Sequence, residues 1–169
     1  MKSPKTQKAR LDRITVKAIT DVATKIEKNV ARLRKPEITF PVRSLGNVKY
    51  DLRKGYFEIG RDKSIRTLTV NTAKTFAQSL KMMSLSKELV GTNDFATKRD
   101  AYYQSKNWGE ACFTEQNESD TVMDDIEAMF SIHGVSREQL RYIPDEHGGA
   151  VAGQLIVYDT DLELSLIHI

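Results

Sequence analysis

Apolar residues recur at Leu11, Ile14, Ala18, Val22, Ile26, Val30 and Leu33, every three or four positions. This spacing predicts one long amphipathic helix that ends before Pro36. The pattern then shortens. Residues 38–42 form an extended run in which Pro41 argues for a sheet edge. Residues 48–52 and 56–59 alternate on either side of Arg53-Lys54-Gly55 and predict a hairpin, and 65–70 supply a third strand. Asn71 or Thr72 caps a helix carried by Phe76, Leu80 and Met83. A break or kink near Ser84 precedes a further helical stretch over 84–90, which Gly91 ends. Residues 92–96 read as a turn and 97–108 as a short helix, followed by a loop to Asn117. Ser119 or Asp120 caps a helix with Val122, Ile126, Met129 and Phe130 on its apolar side. Ser136 with Gln139 starts a short helix ending near Pro144; Gly148-Gly149 is a turn and 151–158 a strand.

The 169 residues suit one domain with an attached element, and the 40% hydrophobic and 29% charged content is that of a globular protein. No apolar run approaches the length that spans a bilayer, so no membrane role is expected, and no signal segment opens the chain. Cys112 stands alone, which excludes an internal disulfide, points to a reducing setting and suggests a buried structural thiol. Charge is more informative. Residues 1–35 hold eleven Lys or Arg against three acids, a net +8, so the remainder of the +3 chain carries −5. A basic helical arm of this kind faces a polyanion or a partner, or packs on its own domain with a solvated basic back.

Candidate chemistry lies in residues 97–108. Thr97 with Asp100 is a capping-box-like start, and Arg99 and Tyr103 share one helical face at i and i+4. A phenol beside a guanidinium can act as a nucleophile toward phosphate, the fixed charge stabilising the attack. A tyrosine ordinarily ionises near pH ~10, so this attack at neutral pH needs a base, a metal or a cation. The plainer alternative has Tyr102 half buried and Tyr103 amphipathic at the surface. Helix, turn and basic helix over 73–108 is also helix-turn-helix spacing, a pattern shared with many αα-hairpins. Elsewhere the signals are structural. Glu110, Glu115, Glu118, Asp124, Asp125 and Glu127 read as a solvated acidic loop and helix face, with no His or Cys at ligand spacing. Isolated His133, His147 and His168 allow no triad, Gly55 and Gly60 form no phosphate loop, and Trp108 is a core or rim anchor.

The heptapeptide Thr97-Lys98-Arg99-Asp100-Ala101-Tyr102-Tyr103 follows Ser84-Leu85-Ser86-Lys87 and precedes Glu118-Ser119-Asp120 and Gly134-Val135-Ser136-Arg137. In this arrangement it resembles the A subunit of archaeal DNA topoisomerase VI, a type IIB topoisomerase. The related meiotic protein that makes double-strand breaks is a more distant likeness. Pro41-Val42-Arg43-Ser44, and Gly148-Gly149 with Gly153, fall in the family's order. The resemblance implies an α+β fold: a winged-helix (CAP-like helix-turn-helix) domain over 36–150 with small antiparallel β elements, behind the N-terminal helical arm of 1–35. It implies that Tyr103 attacks a DNA phosphodiester to form a 5′-phosphotyrosyl link while Arg99 holds the phosphate. Arg43, Lys98 and Lys106 are then the expected phosphate contacts. It further implies double-stranded DNA, a B subunit that binds ATP, and a homodimer of A subunits within an A2B2 heterotetramer. Mg2+ belongs to a following metal-binding (Toprim) domain, and the setting is the cytoplasm, at the nucleoid.

Residues 151–163 are expected to begin the connector to that domain, so Asp159-Thr160-Asp161 is assigned no metal. Residues 164–169 resemble a translated sequencing adapter, which leads us to expect a truncated fragment that is inactive alone. Two other readings compete. One is a non-catalytic winged-helix DNA-binding regulator; the other is an interaction module for the B subunit.

Overall fold

The long apolar stripe does fold as a helix, α1 (Pro4–Ala31), in the computed structural model, which describes residues 4–53, 55–143, 158–159 and 162–163. Thr15, Ile19 and Ile26 are buried on its inner face, with Ile14, Ala18 and Val22 packed beside them. The stripe outruns the helix. Leu33 takes the left-handed conformation at φ 55° and is 97% exposed, so the helix ends before it. α1 packs against α2 (Ala73–Thr92) and β1 (Glu37–Pro41). The alternative in which this helix packs on its own domain with a solvated basic back is therefore the arrangement observed.

β1 pairs antiparallel with β4 (Lys63–Thr67), and β2 (Val48–Asp51) pairs with β3 (Tyr56–Ile59) as a separate two-stranded hairpin. The third strand thus starts two residues earlier than its alternation suggested and joins β1 rather than the hairpin. Asn47 ties the two sheets together. It is buried, its Nδ2 donates to the carbonyls of Val42 (2.7 Å) and Asp62 (3.1 Å), and its Oδ1 accepts from the Asp62 N–H (3.1 Å).

α2 runs unbroken through Ser84, contrary to the expected kink, because its inward serines are satisfied locally or by neighbours. Ser79 Oγ donates to the Thr75 carbonyl at 2.8 Å, and Ser86 Oγ to the Leu140 carbonyl at 2.8 Å. Gly91 lies inside the last turn, and the left-handed residue is Asn93 (φ 60°). The Asp94 N–H reaches the Leu89 carbonyl (2.9 Å) and the Asn93 N–H the Val90 carbonyl (3.4 Å), a Schellman ending built on Asn instead of Gly.

The expected turn over 92–96 ends in a short strand, β5 (Ala96–Thr97), parallel to β6 (Tyr142–Ile143). Then follow α3 (Lys98–Ser105) and α4 (Gln116–Ser131). α4 begins before the expected caps: Ser119 is fully buried inside it and bonds the Gln116 carbonyl (2.8 Å). Ser136 and Gln139 make a single helical turn, held by the Ser136 N–H to Gln139 Oε1 (3.0 Å), without extending to a helix. Beyond Ile143 the described residues are β7 (Tyr158–Asp159), paired antiparallel with β8 (Leu162–Glu163). The turn at Gly148-Gly149, nearly all of the strand over 151–158 and the tail of 164–169 lie outside the described residues.

The core sits where α2, α4 and β1 meet. Phe76, Met82, Leu85 and Leu89 of α2 face Val122, Met123, Ile126 and Phe130 of α4, with Ile38, Phe40, Phe113 and Tyr142 closing the layer. Each such side chain contributes roughly 1.5–3 kcal/mol by leaving water. The result is a mixed α+β arrangement of helices and two-stranded sheets.

Candidate functional site

α3 is a short helix fixed from three sides. Its start is a complete capping box: Thr97 Oγ1 accepts from the Asp100 N–H (3.1 Å), and Asp100 Oδ2 accepts from the Thr97 N–H (3.0 Å). Ala101 is fully buried in the core. At its far end, the 113–114 segment is laced to the helix. Tyr102 Oη donates to the Thr114 carbonyl (3.1 Å), Lys106 Nζ to the Phe113 carbonyl (2.6 Å), and Ser105 Oγ accepts from the Phe113 N–H (3.4 Å). Trp108 is half-buried with its ring 5.9 Å from that of Phe113, an anchor at the rim of the core.

The outer face of α3 is different. Tyr103 is 56% exposed and Arg99 is exposed. Neither side chain makes a hydrogen bond or ion pair among the described residues, and the Tyr103 ring lies 5.4 Å from the tilted ring of Tyr102. The two stand one helical turn apart on a rigid element, a guanidinium and a phenol open to the same solvent. Chemically this pair can bind an oxyanion and present an oxygen nucleophile to it.

The other expected phosphate contacts are placed differently. Lys106 lies over the Tyr102 ring at 4.1 Å, with its ammonium given to backbone carbonyls. Lys98 Nζ faces Asp124 Oδ1 at 3.4 Å. Arg43 bonds Asp125 Oδ1 through Nε (2.9 Å) and Asp124 Oδ2 through Nη1 (3.3 Å). Arg99 and Tyr103 are therefore brought together with Lys98 at one helix, whereas Lys106 turns inward and Arg43 joins α4.

The gathering of charges at α4 escaped the reading of the sequence. Asp124 and Asp125, taken as part of a solvated acidic face, are half-buried and gather cations from four segments. Arg66 Nη2 reaches Asp125 Oδ2 (3.0 Å) and lies 4.6 Å over the Phe40 ring; Arg137 Nη2 reaches Asp124 Oδ1 (2.7 Å) and its Nε reaches Glu127 Oε2 (2.6 Å). An open cavity of about 540 Å³ lies beside them, lined by Phe40, Pro41, Arg43, Ser64, Arg66 and Asp125. Nothing in the spacing of these residues signals the convergence. Nearby, the Ser136 hydroxyl, the Glu138 backbone and Arg137 hold the Glu138 carboxyl below its ordinary value, against a smaller opposing effect of burial. Burial pushes the Tyr142 phenol well above its ordinary value. Cys112 is half-buried, less enclosed than the buried thiol expected.

No group of three or more His, Cys, Asp or Glu among the described residues is arranged to hold a metal. Asp124, Asp125 and Glu127 of α4 already accept from Arg43, Arg66, Lys98 and Arg137, so this donor set does not fit Mg2+. Among the described residues no helix is long and apolar enough to cross a membrane.

Comparison with known proteins adds a family. Residues 74–141, from α2 through the turn after α4, match the family model described as type IIB DNA topoisomerase. The A subunit of type 2 DNA topoisomerase 6 from Methanocaldococcus jannaschii is 44% identical over 154 residues, covering 91% of this chain and 41% of that protein. The proteins of the same name from Methanothermobacter thermautotrophicus and Pyrococcus abyssi are each 32% identical; they cover 92% and 89% of this chain, and 43% and 40% of their own length. The chain spans about two fifths of the length of the curated relatives it matches. With a family model over the α2–α4 region and relatives of that one name aligned across about nine tenths of its length, the chain belongs to the family of type IIB DNA topoisomerase A subunits.

Proposed function

We propose that this chain carries the DNA-binding and strand-cleaving residues of a topoisomerase A subunit, with Tyr103 as nucleophile and Arg99 as the phosphate-holding cation. The observation that carries the reading is the outer face of α3. It leaves this one phenol–guanidinium pair exposed and unengaged on a helix whose other faces are pinned. In the proposed step the Tyr103 oxygen attacks the phosphorus in line and a new O–P bond forms. The bond to the 3′-oxygen breaks, and that oxygen takes up a proton as the phenol loses its own. The 5′-phosphotyrosyl ester retains the energy of the broken bond, and attack by the 3′-hydroxyl reseals the strand. Arg99 supplies two parallel N–H donors to the phosphate oxygens as charge builds on them.

In this reading α2, the turn at Asn93 and α3 form the helix-turn-helix of a winged-helix unit, with α3 against duplex DNA. Lys98 and Arg43 line the approach, Lys106 stays turned toward the Phe113 carbonyl, and the exposed basic side of α1 meets DNA or the B subunit. Mg2+ and ATP act elsewhere in an assembled A2B2 enzyme working on DNA in the cytoplasm, at the nucleoid. The test is a Tyr103→Phe substitution in the assembled enzyme with a 3′-labelled duplex, whose label stays on the fragment joined to the protein. The covalent protein–DNA adduct is expected to vanish while duplex affinity stays within about twofold, since one hydroxyl contributes little beside the phosphate contacts. An adduct that persists at wild-type level overturns the assignment.

A further inference from the structure

The cations around α4 do not bind their carboxylates equally. Asp124 faces three of them from separate segments: Arg137 at 2.7 Å, Arg43 at 3.3 Å and Lys98 at 3.4 Å. Arg137 is locked, because Glu127 holds it as well. Arg66 is locked by Asp125, Ser79 and the Phe40 ring. Arg43 is held chiefly through its Nε to Asp125 at 2.9 Å. Lys98 has the longest contact, and among the described residues Asp124 is its one polar partner. Against these four cations stand the three carboxylates Asp124, Asp125 and Glu127, so one positive charge is in excess. Lys98 is also the first residue of α3, next to Arg99.

We infer that Asp124 is a positioning residue that parks Lys98 in the absence of DNA and gives it up to a backbone phosphate. The exchange is easy because Asp124 keeps Arg137 at 2.7 Å when Lys98 leaves, so no carboxylate is stranded. Asp124 thereby sets how many phosphate contacts the face of α3 makes, and so the affinity and salt sensitivity of binding. The inference rests on the DNA reading given above.

The experiment is a salt titration of duplex binding by the full chain, followed by fluorescence anisotropy, for wild type, Asp124→Asn, Lys98→Gln and the double variant. Each phosphate contact adds about 0.9 to the slope of log affinity against log salt. Asp124→Asn is expected to bind about threefold to tenfold tighter at low salt, with a slope steeper by up to about one contact. Lys98→Gln is expected to be shallower by the remaining part of that single contact, and to remove most of the gain from Asp124→Asn. An unchanged slope in Asp124→Asn, or an equal gain with and without Lys98, overturns the inference and leaves the DNA reading intact. Absence of duplex binding by the wild type overturns both. Asp124→Glu, which keeps the charge, is expected to retain the wild-type slope. If Asp124→Asn fails to fold, the slope of Lys98→Gln decides alone, and a wild-type value there overturns the inference.

Discussion

The sharpest test of how α1 belongs to this domain is the ion pair between Asp12 and Arg141. Arg141 Nη2 donates to Asp12 Oδ1 at 2.7 Å, with side-chain exposures of 6% and 27%. The arginine sits in the left-handed region at φ 67°, lies 4.8 Å over the Phe95 ring, and its buried Nε has no hydrogen-bond partner. Removing Asp12 therefore leaves a buried guanidinium with one aromatic face as its remaining support. Breaking a fully buried pair costs ~3–5 kcal/mol; because Asp12 keeps some contact with water, Asp12→Ala is expected to cost about 2–3 kcal/mol. In a chain of this size that lowers the melting temperature by roughly 5–10 °C. Urea denaturation gives the free energy directly, and hydrogen exchange should show α1 losing protection first. Arg141→Met removes the buried charge together with the need for its partner. It is expected to lie within about 1 kcal/mol of wild type and to make a further Asp12→Ala nearly silent. A cost below about 0.5 kcal/mol for Asp12→Ala, or additive single variants, refutes the view that this pair clamps α1 to the domain.

Three further outcomes follow from local geometry. Thr97→Ala removes the side-chain oxygen that accepts from the Asp100 N–H, one half of the α3 capping box, and should cost about 1 kcal/mol, seen as faster exchange of the first α3 amides; unchanged exchange there refutes it. Tyr142→Phe loses the bond from the phenol to the Met82 carbonyl (2.8 Å) and should cost about 1 kcal/mol at neutral pH. Since burial raises this phenol, the folded chain holds its proton more tightly than the unfolded one does. The stability it contributes is therefore present below pH ~10 and lost as pH climbs above that, so the phenylalanine variant should show a flatter alkaline limb in chemical denaturation. Gly60→Ala would drive a Cβ into Asn47 Oδ1 and to 2.8 Å from the Asn47 carbonyl oxygen, dislodging the residue that joins the two sheets. A loss of about 1–3 kcal/mol in urea titration is expected, and a neutral variant would refute that role of Asn47.

The elements written in short-range pattern were legible. The α1 stripe, the β2–β3 hairpin and the Thr97–Asp100 box are recorded within a few residues of where they act; the hairpin and the box are found as read, and the helix is found short of its last apolar position, Leu33. Misreadings arose where a distant segment overrode a local signal. Ser84 and Gly91 look like a break and a stop, yet α2 is carried past both by the core it fills and ends at Asn93. Ala96 reads as the end of a turn and Thr97 as the start of a helix, yet the two become a strand because Tyr142 and Ile143 lie beside them. The helix ends at Ala31, short of its stripe, because Leu33 finds no surface to cover.

The site divides along the same line. Sequence by itself placed Arg99 and Tyr103 one turn apart on a single helix, since helical geometry needs nothing beyond the spacing. Only the tertiary structure decided that both are open to solvent, that Lys106 turns inward to the Phe113 carbonyl, and that Asp124 and Asp125 draw Arg43, Arg66, Lys98 and Arg137 together. The reason is range. Helical phase is set by neighbours three and four residues away, whereas an ion pair between segments up to 82 residues apart exists only once the core has folded them into contact.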